Sequence, residues 1–306
     1  MKDLLVGSTG FVGGNLKRTH EFDDVCHASD VEEYYSYAPE LCVYAGVPSA
    51  MFLANSNPAA DLEIMKHAQD NLRRINPRRL VLISSIAVYR DSRGKDETSI
   101  METTNLSAYG KNRLQLEQWV RQDFPDALIV RLPALYGDGL KKNFLFDLHT
   151  VTPSMLKPEL YMKLAEKSDV IRESYDLQEN GFYVLKGDAD QKRLKDFFSQ
   201  NDFNALSFTD SRSNYQFYNL NRLWHDIEIG LENQLKLLNI CTPPVSAGKV
   251  YEYLTGGEKW VNELSGVPFD YDMRTVHYDL FNGANGYLCT LEEELHDIKQ
   301  FMTSWR

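Results

Sequence analysis

Five short apolar runs separated by helical stretches fill the amino-terminal half of the chain, and they limit the fold more than any other feature. Leu4-Leu5-Val6, Val25 to Ala28, Leu41 to Ala45, Leu80 to Ile83 and Ala127 to Arg131 read as strands. Helical patterns run from Phe11 to His20, Pro58 to Ile75 and Tyr109 to Gln122. Strands that are apolar throughout, rather than alternating, belong in a parallel sheet covered on both faces. The expected class is α/β, with a doubly wound, Rossmann-like parallel sheet. One interval is short. About ten residues separate Asp30 from the strand at Leu41, room for a single helix from Val31 to Tyr37, so one βα unit is shortened.

The second half is looser. Helices are expected over Pro158–Glu166 and Lys192–Ser199, with a strand from Phe182 to Leu185. Leu206-Ser207-Phe208 and Tyr215 to Tyr218 read as further strands, and Asn221 to Leu238 as one long amphipathic helix. Ser246 is placed to cap a helix through Leu254, and Thr290 with Glu293 to form a capping box for Leu291–Met302. The expected division is a core of residues 1–147 to which 204–238 return. Residues 148–203 and 239–306 would form a smaller substrate lobe over the carboxyl ends of the strands.

Composition excludes several classes. Lys and Arg number 33 against 44 Asp and Glu, a net charge of −11, which argues against nucleic-acid binding. No apolar run approaches the length of a membrane span. Cys26, Cys42, Cys241 and Cys289 are scattered, and neither they nor the seven histidines have metal-ligand spacing. A reduced, metal-free cytoplasmic protein is expected.

The chemistry is concentrated at strand ends. Gly7-Ser8-Thr9-Gly10-Phe11-Val12-Gly13 follows the first strand and opens a helix. A tight turn wants Gly7, close approach to a pyrophosphate wants Gly10, and helix–strand packing wants Gly13. The helix amino end then offers free N–H groups to phosphates. Asp30, 23 residues beyond Gly7, is placed either to accept bonds from an adenosine ribose or to cap the following helix. No Lys or Arg lies between Asp30 and Lys66, so NAD is favoured over NADP. Ser84 and Ser85 end the fourth strand. Tyr109 and Arg113, four apart, share a helix face, while Lys111 points elsewhere. A phenol beside a fixed cation is a usable acid or base.

These residues resemble the extended short-chain dehydrogenase/reductase family, the nucleotide-sugar epimerases and dehydratases. The resemblance rests on the glycine turn, Ala45-Gly46-Val47, Ser84-Ser85 before Val88-Tyr89, the Tyr109 helix and Arg131 to Gly137, all in family order. It implies that Ser85 polarises a substrate oxygen, that Tyr109 transfers its proton, and that Pro133 contacts the nicotinamide. Ala45, Gly46, Val47 and Ser84 would line the cofactor, with Thr9, Phe11 and Val12 in the phosphate turn. The family pattern is Tyr-x-x-x-Lys, and Arg113 stands in place of that lysine. Arg keeps the charge and the donors but is planar and does not release its proton. Related 4,6-dehydratases carry an acidic pair where this chain has Ile86 and Ala87, so dehydration is disfavoured.

The leading expectation is an NAD-dependent oxidoreductase or epimerase of a nucleotide-activated sugar. A dinucleotide-binding sensor or scaffold without chemistry, and a reductase of a non-nucleotide carbonyl, are the alternatives. Asn143, beside Lys141-Lys142, and Arg212 are candidate substrate contacts, and Arg222 and Arg274 are guesses of the same kind. Family resemblance also implies a homodimer built by the Tyr109 helix and a neighbour.

Overall fold

The computed structural model describes residues 2–305. Six parallel strands form the central sheet, in the order Leu237–Asn239, β5 (Leu128–Leu132), β4 (Arg79–Ser85), β3 (Leu41–Tyr44), β1 (Asp3–Val6), β2 (Asp24–Cys26). The register of each pair is parallel throughout, for example Leu5 opposite Val25 and Val43. Successive side chains of a strand face opposite sides, and here both sides are apolar. Leu5, Val43, Val81 and Val130 face α1 (Phe11–Thr19) and the Leu223–Glu232 helix, meeting Leu16, Leu223 and Ile227. Leu4, Val6, Cys42, Tyr44, Leu80, Leu82 and Ile129 face the other way. They meet Met65, Ala68, Leu72 and Ile75 of α3 (Pro58–Ile75) and Leu116 and Val120 of α4 (Ala108–Asp123). Each such Leu, Ile or Met contributes about 1.5–3 kcal/mol of burial. The doubly wound class is therefore the observed one, with a short α2 (Met51–Ser56) preceding α3.

The shortened unit is also observed. Residues 27–40 contain only the 3-10 turn Val31–Tyr34, and β2 is the sheet edge. The loop closes on the end of α3, where the Ser36 and Ala38 N–H groups donate to the Arg74 and Ile75 carbonyls. Because the chain leaves β1 toward β2 on one side and reaches β3 on the other, the carboxyl ends of β1 and β3 bracket the switch point at which α/β sheets bind ligands.

Three expectations need correction. The Asn221–Leu238 pattern is not one helix: a 3-10 turn at Leu220–Arg222 leads into a helix that stops at Glu232, and Leu237–Asn239 is the sixth sheet strand. Gln234 takes a left-handed conformation that ends the helix, and Leu231 and Leu235 reach the same cluster from either side of the break, so an apolar period persists in the letters. Leu206-Ser207-Phe208 belongs to a 3-10 turn, capped by Asn204. Tyr215 to Tyr218 is split at Gln216, whose buried amide bonds the backbone of Met273 in both directions.

The chain divides into two compact units. One comprises Met1–Leu140, Asn214–Val245 and Asp270–Ser304; the other comprises Lys141–Ser213, Ser246–Phe269 and Trp305–Arg306. Residues 239–245 and 270–304, expected in the smaller lobe, thus lie with the sheet, and 141–147 and 204–213, expected in the core, do not. The Leu291–Ser304 helix is tied there by Glu294, which accepts from the Phe217 N–H, and by Asp297, which accepts from Asn219 and Tyr136. In the smaller unit, Tyr183–Leu185 pairs antiparallel with Met155–Leu156 and Tyr175–Leu177 around Leu164, Ile171, Leu194 and Phe198. No helix among the described residues is long and apolar enough to cross a membrane.

Candidate functional site

The glycines after β1 are dictated by contact distance. Gly7 has a φ of 89°, and a Cβ there would lie 2.6 Å from the Ala45 carbonyl oxygen. A Cβ on Gly13 would lie 2.1 Å from the Gly7 carbonyl oxygen, so α1 sits against the turn as no other residue permits. The turn is buttressed by Cys26, whose carbonyl accepts the N–H groups of Gly7 and Ser8 and the Ser8 hydroxyl. Burial, then Asp30, Glu33 and Asp24, push the Cys26 thiol up to about 11, so it stays protonated. Gly10 ends the turn as an N-cap with no side chain to occupy the helix amides. Thr9 and Gly10 are exposed, with Phe11 and Val12 half-buried behind them. The amides of the first helical turn and the dipole behind them form a ready anion cradle.

Across the switch point, Ala45-Gly46-Val47 leaves β3 with the Ala45 N–H on the Val6 carbonyl. Gly46 is closely fitted, since a Cβ would meet Ala28 and Val6 at 3.2 Å. Asp30 does not cap the following turn with its side chain. It is exposed and accepts the Ser29 hydroxyl at 2.6 Å, and Ser29 also meets His27 at 2.8 Å. Asp30 does stand at the N-cap position, but only its carbonyl, which accepts the Glu33 N–H, serves the turn.

At the end of β4 the paired serines diverge. The Ser84 hydroxyl donates inward to Glu117 at 2.6 Å, into a buried group in which Glu117 also takes a two-pronged bond from Arg131. Its hydroxyl is therefore committed to this buried group. Ser85 Oγ accepts the Ala87 N–H at 3.2 Å, leaving its own hydrogen free to be donated. The helix α4 begins against this turn: a Cβ on Gly110 would lie 2.0 Å from the Ala87 carbonyl, so only glycine lets the first turn of α4, which carries Tyr109, pack this closely on the turn after Ser85. Tyr109 is further fixed by its N–H bond to the Asn55 side chain of α2 at 3.0 Å.

Arg113 does share Tyr109's face, with its guanidinium 4.0 Å from the ring centroid. It is 4% exposed, and its Nη1 alone donates to both oxygens of Asp61 of α3, at 2.7 and 2.6 Å, while Asn112 donates to the same carboxylate at 2.9 Å. A further donation goes to the Pro48 carbonyl, at the end of the Ala45-Gly46-Val47 segment. Three of the five guanidinium donations are thereby committed. Lys111 is exposed, as its angular position predicts.

Pro133 is half-buried between β5 and the Ala134–Tyr136 strand. The segment that follows is locked to α1 by buried Asn15, which donates to the Asp138 carbonyl and accepts the Asp138 N–H. In the smaller unit, Asn143 adopts a φ of 104° and caps Phe144–Thr150 by accepting two backbone N–H groups. Arg212 donates to Asp210, Glu263 and the Leu264 carbonyl, so its fork already holds a loop. Asp61, Asn55, Gly110 and Asn15 were not singled out by the sequence. Only the spacing of Gly110 directly after Tyr109 carried a signal.

The family described as RmlD substrate binding domain matches residues 1–156, just over half of the 306 residues. The chain belongs to the RmlD substrate-binding-domain family. No curated protein matches the sequence significantly. Among solved structures, a dTDP-4-dehydrorhamnose reductase from Clostridium acetobutylicum superposes with a TM-score of 0.61 at 16% identity, covering 99% of both chains. The Bacillus anthracis dTDP-4-dehydrorhamnose reductase in complex with NADP gives 0.62 at 14% identity over 99% of this chain and 98% of that one. The UDP-glucose 4-epimerase of Thermotoga maritima, with UDP-glucose, gives 0.60 at 13% identity and 99% of both. These likenesses share the fold, and they agree with the extended short-chain dehydrogenase/reductase resemblance.

Proposed function

We propose that this RmlD-family chain is an NAD-dependent oxidoreductase or epimerase of a nucleotide-activated sugar. The observation that carries the reading lies within one unit: a glycine-built anion cradle after β1, Ser85 at the end of β4, and Tyr109 in the first turn of α4, which packs on the turn after β4. The named activities of the structural neighbours, reductases and epimerases of nucleotide sugars, support the same substrate class. The Cβ-excluding turn fits a dinucleotide, whose pyrophosphate would lie on the amides of Phe11, Val12 and Gly13. Ala45, Gly46 and Val47 would line it, Asp30 would accept from the adenosine ribose, and Pro133 would flank the nicotinamide. The exposed Asp30 carboxylate favours NAD, because it would repel a 2′-phosphate. When bound, the nicotinamide supplies the hydride carrier.

The chain's own residues handle the proton. Tyr109 takes the proton of a sugar hydroxyl, or returns one to a carbonyl, and Ser85 donates a hydrogen bond to the same oxygen. Ile86 and Ala87, in the adjoining turn, cannot move protons, so elimination of water is not part of the proposal. The protein would work in the cytoplasm, where its four buried free cysteines stay reduced. A homodimer through α4 and α3 is proposed as well, since Met51, Phe52 and Leu53 of α2 and Ile64 of α3 leave apolar surface exposed nearby.

The test is incubation of the protein with NAD and a panel of nucleotide sugars, following absorbance of the reduced nicotinamide. Reduction with one of them, lost in Tyr109→Phe, is the expected result. The commitment of Arg113 to Asp61 and Pro48 favours a second reading, a dinucleotide-binding module without chemistry. Tight NAD binding with no reduction by any nucleotide sugar would decide for it.

A further inference from the structure

The Tyr109 ring rests on a cation that is not free to reach a ligand. Arg113 and Asp61 are 4% and 7% exposed, so the pair is held out of water. Asp61 reaches Arg113 with both oxygens, and Asn112 completes the carboxylate by donating to it and to the Pro58 carbonyl. The other end of the guanidinium is on the Pro48 carbonyl. One planar group thus touches three separate pieces of chain: α3, the segment after β3, and the Tyr109 ring. A lysine could not do this, since its ammonium is a point donor without a fork. Of the elements packed on the start of α4, α2 and the Ile86–Val88 turn bring no charged side chain, and α3 brings Asp61.

We propose that Asp61 is a positioning residue, which captures Arg113 and so holds the Tyr109 ring and the segment ending at Pro48 in one fixed relation. This deepens the proposed function and rests on it for its catalytic consequence, though the clamp itself is a property of the polypeptide. Arg113 then acts on the site through the tyrosine ring and the loop, not through a ligand's ribose. Loss of the clamp frees the ring to rotate and shift. A displacement of about 1 Å from the reacting position costs about 10²-fold in turnover.

The experiment uses full-length protein carrying ring-13C-labelled tyrosine, with the Tyr109 resonance identified by its absence in Tyr109→Phe. It compares wild type, Asp61→Asn, Arg113→Lys and the double variant Asp61→Leu/Arg113→Met. The double variant removes both charges together, so it folds even where a lone buried charge does not. A moved or exchange-broadened Tyr109 signal is expected in all three, with kcat about 10²-fold lower. An unmoved Tyr109 signal in the folded double variant would overturn the proposal. So would an Arg113→Lys variant whose only defect is weaker NAD binding, which would place residue 113 on the ribose. Failure of every nucleotide sugar to reduce NAD would count against the proposed function alone, because the resonance still reports on the clamp.

Discussion

Adjacent glycines at the start of α1 should respond to the same substitution in opposite ways. A Cβ on Gly13 would lie 2.1 Å from the Gly7 carbonyl oxygen and 2.8 Å from its carbon. A comfortable carbon–oxygen contact is about 3.3 Å or more, so helix and turn must separate by roughly 1.2 Å. Backbone crowding of this kind costs about 1–3 kcal/mol in stability. The larger effect falls on the ligand. Moving the first-turn amides by that much stretches bonds of ordinary length beyond hydrogen-bonding range. Loss of two charge-assisted bonds at about 1.5–3 kcal/mol each weakens NAD binding by roughly 10²–10⁴-fold. On Gly14 the same Cβ finds only the Ser8 carbonyl oxygen, at 3.8 Å, an ordinary contact. There, alanine should leave binding unchanged and stabilise by up to about 1 kcal/mol, the usual helix-interior gain. Calorimetric titration with NAD and thermal unfolding of both variants measure these quantities. Wild-type NAD affinity in Gly13→Ala would refute the claim that this turn holds the pyrophosphate.

Removing the phenol hydroxyl in Tyr109→Phe should cost about 10²–10⁴-fold in kcat with the reactive nucleotide sugar, read from steady-state rates at saturating NAD. Glu117 is fully buried and takes bonds from Arg131 and Ser84, so Glu117→Gln should destabilise the fold by about 3–5 kcal/mol in denaturant unfolding. Glu294 keeps one carboxylate oxygen without a partner, and burial raises its pKa well above the usual range against the opposing bonds from the Phe217 N–H and Thr242 hydroxyl. Below about pH 4 the group is protonated folded and unfolded alike; as pH rises, only the unfolded chain ionises, and stability falls until the folded group titrates. Glu294→Gln should therefore raise Tm at neutral pH and leave it unchanged at the acid end, a difference seen by melting both proteins across pH. Phe52 is 77% exposed, and Phe52→Glu should shift sedimentation toward monomer if α2 belongs to a dimer surface.

Legibility followed the range of the interactions. Local patterns were read well: the Pro58–Ile75 helix, the Ser246 cap and the Thr290–Glu293 capping box stand where their residues indicate. The glycine turn was legible because its requirement for missing side chains is written in the turn itself. Leu237 and Leu238 were misread because an apolar residue buried by strand pairing uses the same letters as one buried on a helix face. At the site, the Tyr109–Arg113 pair could be read from a four-residue spacing. Asp61 could not, since it meets Arg113 only after α3 and α4 pack together, 52 residues apart in the chain. Ser84 and Ser85 look equivalent in sequence, yet strand alternation sends one hydroxyl to Glu117 and leaves the other at the turn.

A crystal structure of the protein with NAD bound tests the central claim most directly. The account predicts the pyrophosphate on the amides of Phe11 to Gly13, and the nicotinamide ring beside the Tyr109 hydroxyl with Ser85 on the same side. A dinucleotide seated away from the Gly7–Gly13 turn, or a nicotinamide that Tyr109 does not approach, would contradict it.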